Sequence, residues 1–356
     1  MGIIDRHFFL KFMAVSVGAA TALASIDASA EGGLRGRIRE KIKERVVEKL
    51  EEAPAPEANA SASDRITTAG DYYFSIPHQG LTRMYRVHVP PSYNPATPAP
   101  LIFAFHGGGG DMEYMARDEY YGLISKADQT GYVIVFPNGS SHFKSGKLAT
   151  WNAGECCGGA RDNNVDDIGF VKQMVANITR QMNINPDKIY ATGMSNGGMM
   201  AYRIACELSG TFKAVASVTG TDNVPGCRPN NPVSVLHIHA QNDTHVLFNG
   251  GAGKDVFKDE TMVTDFTSVP DTFRMWKERN SCTGQPARVL DVEGAYCDLY
   301  SSCSGGSQVK LCVTETGGHS WPGGNKPGGR KQMKKEPTSK AISANDEIWA
   351  FFGSLK

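Results

Sequence analysis

Three shortages bound what this chain can be. It has no excess of either charge, with 37 Lys and Arg against 37 Asp and Glu in 356 residues. Nothing in its overall field therefore draws it to nucleic acid or an anionic membrane. Its N-terminal apolar run, Phe12 to Ala24, falls short of the roughly 20 residues a spanning helix needs, so the mature chain is not expected to insert in a bilayer. It lacks the Cys-x-x-Cys spacing of a zinc site, and no metal is expected. Asp162, Asn164 and Asp166 resemble the start of a calcium loop, but the required glycine and distal glutamate are absent.

The apolar run has another use. Arg6, His7 and Lys11 precede it, and Ala28-Ser29-Ala30 follows as a small-residue cleavage site. Residues 1–30 therefore read as a secretory signal, with an uncleaved anchor as the alternative, and the mature chain is expected in the periplasm or outside the cell. The eight cysteines agree with export, where an even number favours disulfides. Their pairing is left open by the sequence; adjacent Cys156 and Cys157 are expected to bond to different partners.

Residues 31–63 read as a linker. Leu34, Ile38, Ile42, Val46 and Leu50 form a narrow stripe on a charged helix, which Ala53-Pro54-Ala55-Pro56 ends. A solvated spacer is expected, with a docking helix as the alternative. The remaining residues, 64–356, suffice for one large domain, and no separate carbohydrate- or polymer-binding module is visible.

Within that domain, strands and helices alternate. Residues 71–76 and 83–89 read as a hairpin turning at 77–81. Further strands are expected at 101–105, 132–136, 189–192, 214–218, 233–238 and 309–314. Helices are expected at 115–129, 168–182, after Ser195 to Leu208, and at 266–278 and 344–352, Asp166 and Asp167 opening the second. This pattern implies an α/β fold with a mostly parallel central sheet flanked by helices. The long loop 138–165, rich in Gly, Asn and Cys, has the length of a functional loop.

The chain is organised around Gly193-Met194-Ser195-Asn196-Gly197-Gly198. Gly-x-Ser-x-Gly between a strand and a helix is the context of a nucleophile elbow: glycines leave room for the turn, and the helix start offers free N–H groups. A serine needs a base, and His319, in a glycine-rich loop after a strand, is the candidate among nine histidines. Asp243, in the turn after the 233–238 strand, is the candidate to hold that imidazole. Asp222 follows an earlier strand and Asp255 lies beyond the turn, which makes them the weaker choices. His106-Gly107-Gly108 follows the first central strand, so Gly107, Gly108 and the N–H of Asn196 are the candidate oxyanion hole. His237 and His239 are expected to be packed within a strand, while Trp151 and Trp321 are candidates to line a substrate groove.

Several of these stretches, in order, resemble one family. Gly193 to Met200, Trp151 with Cys156-Cys157, Asn164-Val165-Asp166-Asp167-Ile168-Gly169-Phe170 and Gly318-His319-Ser320-Trp321-Pro322-Gly323 are similar to secreted esterases of the polyhydroxybutyrate depolymerase and feruloyl esterase group. The resemblance implies an α/β-hydrolase fold, no cofactor, and a Ser195, Asp243, His319 triad acting on feruloyl, acetyl or hydroxybutyrate esters. Relatives carry the acid in a His-Gly-x-x-Asp-like turn, from which Ala240 and Gln241 depart. The resemblance further implies a Cys282–Cys303 bridge, and with it Cys297–Cys312 and pairing of Cys156 and Cys157 with Cys206 and Cys227. A peptidase of the same fold and a non-catalytic binding protein on a hydrolase scaffold are the competing expectations.

Overall fold

The computed structural model describes residues 34–54, 57–61, 64–256, 265–325 and 337–355. The expected signal segment, and residues 326–336 before the last helix, lie outside them. Helix α1 (Leu34–Glu52) has formed, with Ile42 and Val46 exposed and the Leu50 carbonyl accepting from Ser145 Oγ at 3.4 Å.

The domain opens on β1 (Gly70–His78) and β2 (Leu81–Val89), an antiparallel hairpin. Its turn is only Gln79-Gly80, both at positive φ (47° and 77°), as a two-residue hairpin loop demands. The strand thus runs through Pro77, which was expected in the turn. An outermost strand tolerates a proline because one of its edges needs no ladder donors.

The remaining strands are β3 (Ala99–Phe105), β4 (Val133–Pro137), β5 (Ile184–Met194), β6 (Ala214–Val218), β7 (Ser234–Ala240), β8 (Ala287–Val292), β9 (Ala295–Tyr300) and β10 (Val309–Thr314). They form one sheet in the order β1-β2-β4-β3-β5-β6-β7-β10-β9-β8. From β4 to β10 all neighbours in that order are parallel, and both ends are antiparallel. β4, β6 and β7 are buried at every position, as expected for strands covered on both faces. The architecture is that of an α/β-hydrolase.

Helices α2 (Met112–Met115), α3 (Asp118–Tyr121) and α4 (Leu123–Thr130) replace the single helix expected over 115–129. Gly122, at φ 63°, breaks the pattern. Short α5 (Gly158–Asp162) lies in the long loop, followed by α6 (Asp167–Gln181), α7 (Asn196–Glu207), α8 (Val269–Arg279) and α9 (Ala344–Ser354). One apolar layer packs α6, α7 and α8 on the sheet through Phe170, Met174, Met199, Tyr202 and Trp276. The other packs α4 and α9 through Leu123, Ala127, Ile348 and Phe352. The β8–β9 hairpin was not legible in the sequence, because β8 is exposed along most of its length and shows no alternation.

Asp162, Asn164 and Asp166 are spent on separate tasks. Asp162 pairs with Arg161, Asn164 accepts from Asn152 Nδ2, and Asp166 caps α6 through Gly169 N–H at 2.8 Å. Cys282–Cys303 and Cys297–Cys312 are bonded. The expected pairing of Cys156 and Cys157 with Cys206 and Cys227 is overturned. Cys206, at the end of α7, faces Cys227 at a Cα separation of 5.5 Å and bonds to it. Cys156 and Cys157 are left to bond each other.

Asp167 does more than open α6. It is wholly buried, accepts from Arg83 Nη2 at 2.6 Å and from the Asn152 N–H at 2.8 Å, and so ties the hairpin to the long loop. The Arg83 guanidinium also lies 4.2 Å over the Phe170 ring. Arg83→Met leaves the Asp167 charge buried without its cation and should cost about 3–5 kcal/mol of stability, measured by urea unfolding. Arg83→Met with Asp167→Leu should recover most of that loss; if it does not, the pair is not what the single variant removes.

Candidate active site

β5 ends at Met194 and α7 begins at Asn196, leaving Ser195 alone to make the turn at φ 55° and ψ −123°. A non-glycine residue held there costs on the order of 1–3 kcal/mol and persists only where its surroundings over-determine it. They do so here. The Ser195 N–H donates to the Val218 carbonyl at 2.8 Å, anchoring the elbow to the end of β6. A Cβ on Gly197 would strike the carbonyls of Phe105 and His106, and one on Gly193 would strike Gly197. The end of β3 therefore lies hard against the elbow, and only glycines allow it.

The segment leaving β3 is held by its histidine. His106 is buried; its Nδ1–H donates to the Gly107 carbonyl at 2.8 Å, and its Nε2 accepts from the Gly139 N–H at 2.9 Å. The Gly110 N–H also donates to Gly107 O, at 3.0 Å. In a trans peptide the C=O and the following N–H point opposite ways, so pinning Gly107 O turns the Gly108 N–H away from the imidazole. Asn196 spends its side chain on the long loop: Trp151 N–H donates to its Oδ1 at 2.8 Å and its Nδ2 donates to Trp151 O at 3.0 Å. Its own backbone N–H is among the first of α7, which have no partner within a helix.

His319 and Asp243 meet across the ends of β10 and β7. His319 Nδ1–H donates to Asp243 Oδ2 at 2.8 Å. The two loops are also tied by Gly318 N–H donating to Asn242 Oδ1 at 2.9 Å. Asp243 is buried, and its other oxygen, Oδ1, accepts from the N–H groups of His245 (2.8 Å) and Val246 (3.1 Å). Burial alone would raise its pKa; the facing His319 and the bonds from His239 and His319 outweigh burial and hold the carboxyl well below the usual carboxylate range. His245 stacks on His319 with ring centroids 4.5 Å apart. Asp243, His245 and His319 also place ligand atoms within 4.8 Å of one another; both Asp243 oxygens are already taken up by donors.

Ser195, Asn196, Gly107, Gly108 and His319 all line one cavity of about 460 Å³. Its walls include Tyr114, Tyr121, Met194, Val246, Val256 and Phe266, with Asp111 and Asp255 also in the lining. Asp222 lies elsewhere, accepting from Trp276 Nε1 at 3.0 Å and from Arg279 Nη1.

A family model described as "Putative esterase" matches residues 80–321. The chain belongs to this esterase family. It is 30% identical over 285 residues to "Putative esterase NocK" of Nocardia uniformis, covering 76% of this chain and 79% of that protein. It is 29% identical over 239 residues to feruloyl esterase B of Piromyces equi, spanning 65% of this chain but 42% of that protein. With feruloyl esterase C of Emericella nidulans it shares 28% identity over 67% of this chain and 76% of that one. Among solved structures, an acetyl xylan esterase from Aspergillus awamori superposes with a TM-score of 0.54 at 12% identity, over 79% of this chain and 98% of that one. That likeness speaks for the α/β-hydrolase fold.

Two sequence expectations fail in this esterase. Trp151 and Trp321 are not in the cavity lining. Trp151 is fully buried, its Nε1–H donating to His106 O at 3.0 Å and its ring edge-on to Phe105. Trp321 is buried against Tyr121 and donates to Asn345 Oδ1 at 3.0 Å. Both support walls that other residues form. Tyr114, Tyr121, Phe266 and His245 went unnoticed because the sequence gives them no spacing that marks a pocket.

Burial holds the His106 pKa down to about 4, against the raising effect of its bond to Gly107. The unfolded chain therefore binds a proton there near pH 6.5 that the folded chain refuses until about pH 4. Stability is full above the unfolded pKa and falls through that window as pH drops, with His106 contributing about 3 kcal/mol to the loss. His237, also held low by burial and by His239, adds to it. Unfolding free energy measured from pH 7 to pH 4 should show this slope, and His106→Gln should flatten it.

Proposed function

We propose that this esterase is an exported serine carboxylic-ester hydrolase that works through an acyl-enzyme on feruloyl- or acetyl-type polysaccharide esters. The observation that carries the reading is the pairing of His319 with ionised Asp243 at 2.8 Å, with His319 and strained Ser195 facing the same cavity. In this reading Ser195 Oγ attacks the ester carbonyl while its proton passes to His319 Nε2. Asp243 holds the Nδ1–H tautomer and stabilises the imidazolium. The N–H groups of Gly108 and Asn196, with Gly107 making the close approach, receive the oxyanion. Collapse breaks the bond to the alcohol, which leaves with the proton from His319. Water then repeats the sequence on the acyl-enzyme and releases the acid and Ser195.

The cavity bears on the substrate. Its volume suits one acyl group and its immediate attachment rather than a length of polymer. Tyr114, Tyr121, Met194, Val256 and Phe266 offer an aromatic and apolar wall. Its described lining carries Asp111 and Asp255 and neither lysine nor arginine, which disfavours a substrate with a carboxylate beside the reacting ester. These features fit a neutral phenolic or acetyl ester of a sugar, in line with the feruloyl and acetyl xylan esterases among the similar proteins. The resemblance to polyhydroxybutyrate depolymerases keeps hydroxybutyrate esters as the second substrate class. Export rests on the leader-like residues 1–30 and agrees with disulfides, which persist in oxidising compartments.

A fluorophosphonate probe should label the folded protein at Ser195, and Ser195→Ala should abolish both labelling and ester turnover; labelling retained in the variant would refute the acyl-enzyme. Methyl ferulate, acetylated xylan and hydroxybutyrate oligomers assayed side by side should rank the first two above the third. Activity on a ferulate ester but not on the matching anilide separates an esterase from a peptidase.

A further inference from the structure

Behind Asp243 lies a line of buried polar side chains that the reaction as written does not use. His237 and His239 alternate on one face of β7, with ring centroids 5.2 Å apart and planes within 11°. Both are buried, as is Tyr202 of α7. Tyr202 Oη lies 2.7 Å from His237 Nδ1, and His237 Nε2 lies 3.0 Å from His239 Nδ1. His239 Nε2 lies 2.9 Å from the Val246 carbonyl and 3.2 Å from Asp243 Oδ2. Three groups thus run in file from the core to the carboxylate that holds His319.

The chemistry of the partners fixes the direction of every proton. The Val246 carbonyl can only accept and ionised Asp243 can only accept, so His239 Nε2 must carry a hydrogen. A neutral His239 then presents a lone pair at Nδ1, which requires Nε2–H on His237. A neutral His237 presents a lone pair at Nδ1, which the Tyr202 hydroxyl satisfies by donating. The alternative places a proton on His239 and reverses the file, putting an imidazolium into a desolvated core. Burial and the neighbouring His239 oppose charge on His237.

Resting on the serine-esterase reading above, we propose that Tyr202, His237 and His239 form a neutral, one-directional hydrogen-bond chain that positions the Asp243 turn, with His239 as the positioning residue. His239 grips the turn at two points, Val246 O and Asp243 Oδ2. Val246 closes the loop by donating its own N–H to Asp243 Oδ1 at 3.1 Å. Asp243 Oδ2 therefore divides its charge between His239 and His319. This sets both the place of the His319 ring and how strongly its protonated form is held.

The surroundings contain the other groups able to disturb this balance. His245 stacks on His319, and Asp255 sits on the cavity side, where it accepts from Thr244 Oγ1 at 2.7 Å. Asp222, in the loop after β6, and Arg279, at the end of α8, act on Tyr202. Phe248 closes the far side of His239 with its ring edge-on. Asp243 Oδ2 is approached by His319 Nδ1 at 2.8 Å and by His239 Nε2 at 3.2 Å.

Two measurements test the proposal. In the wild-type protein labelled with ¹⁵N-histidine, His237 and His239 should both appear at about pH 8 as Nε2–H tautomers. An Nδ1–H tautomer at either residue overturns the chain. In kinetics, His239→Leu should lower kcat by about ten- to a hundred-fold with KM little changed, the loss expected for one hydrogen bond to a charged group. It should also move the acid limb of kcat/KM upward, because Asp243 then concentrates its charge on His319 and favours the imidazolium. His239→Gln, which returns an N–H near the Nε2 position, should restore most of both. A folded His239→Leu with unchanged kcat and limb overturns the positioning role, and so does a loss of kcat that Gln does not restore. If His239→Leu does not fold, the wild-type spectrum and His239→Gln still decide. Absence of ester turnover and of Ser195 labelling in the wild type would sink the esterase reading instead, and the tautomer result would stand apart from it.

Discussion

The site depends on a steric constraint before any electrostatic one: the ends of β3 and β5 come so close that no side chain fits between them. The carbonyls of Phe105 and His106 stand where a Cβ of Gly197 would be. That approach forces the turn at Ser195 into positive φ and starts α7 at the next residue. It also brings the segment after β3, with Gly107 and Gly108, alongside the serine. A hydroxyl and two sources of backbone N–H are gathered by one packing requirement, and the bond from Ser195 N–H to the end of β6 locks it.

Around that elbow, two buried histidines are kept neutral. His106 and His237 both have depressed pKa values caused first by burial. Asp243 is instead an ionised group out of water, and both of its oxygens are bonded by surrounding donors, as Asp167 is by Arg83 and Asn152. A buried carboxylate is costly unless bonded in this way. The same bonding makes it a suitable partner for His319, because a carboxylate held charged and stationary can orient an imidazole and stabilise its protonated form. Arg83 and Asp167 serve the neighbouring loop on the same principle, with Asp167 fixing Asn152 beside Trp151.

Much of this was legible in the residues. Gly-x-Ser-x-Gly between a β-prone run and a helical pattern marks the elbow because only small residues survive there. His319 and Asp243 stand out as polar residues just past strand ends, where an α/β sheet presents its side chains to a ligand. Less legible were features without a local signature. The β8–β9 hairpin is exposed along β8 and has no alternation to read. Gly122 divides a helix that periodicity alone would join. Trp151 and Trp321 could have lined or supported the cavity, since a sequence does not say which face of a loop a ring takes.

Local sterics and short-range periodicity were enough to read the central strands, most of the long helices, the elbow and the polar residues at the strand ends from the residues alone. Only the tertiary structure decided which cysteines bond, which aromatic rings wall the cavity, and that His237 and His239 stand in line with Tyr202 behind Asp243. Some of those outcomes bring together groups distant in sequence, as with Tyr202 and His237, 35 residues apart and 2.7 Å from each other. Such distances are set by how whole layers pack, which no short stretch of sequence encodes.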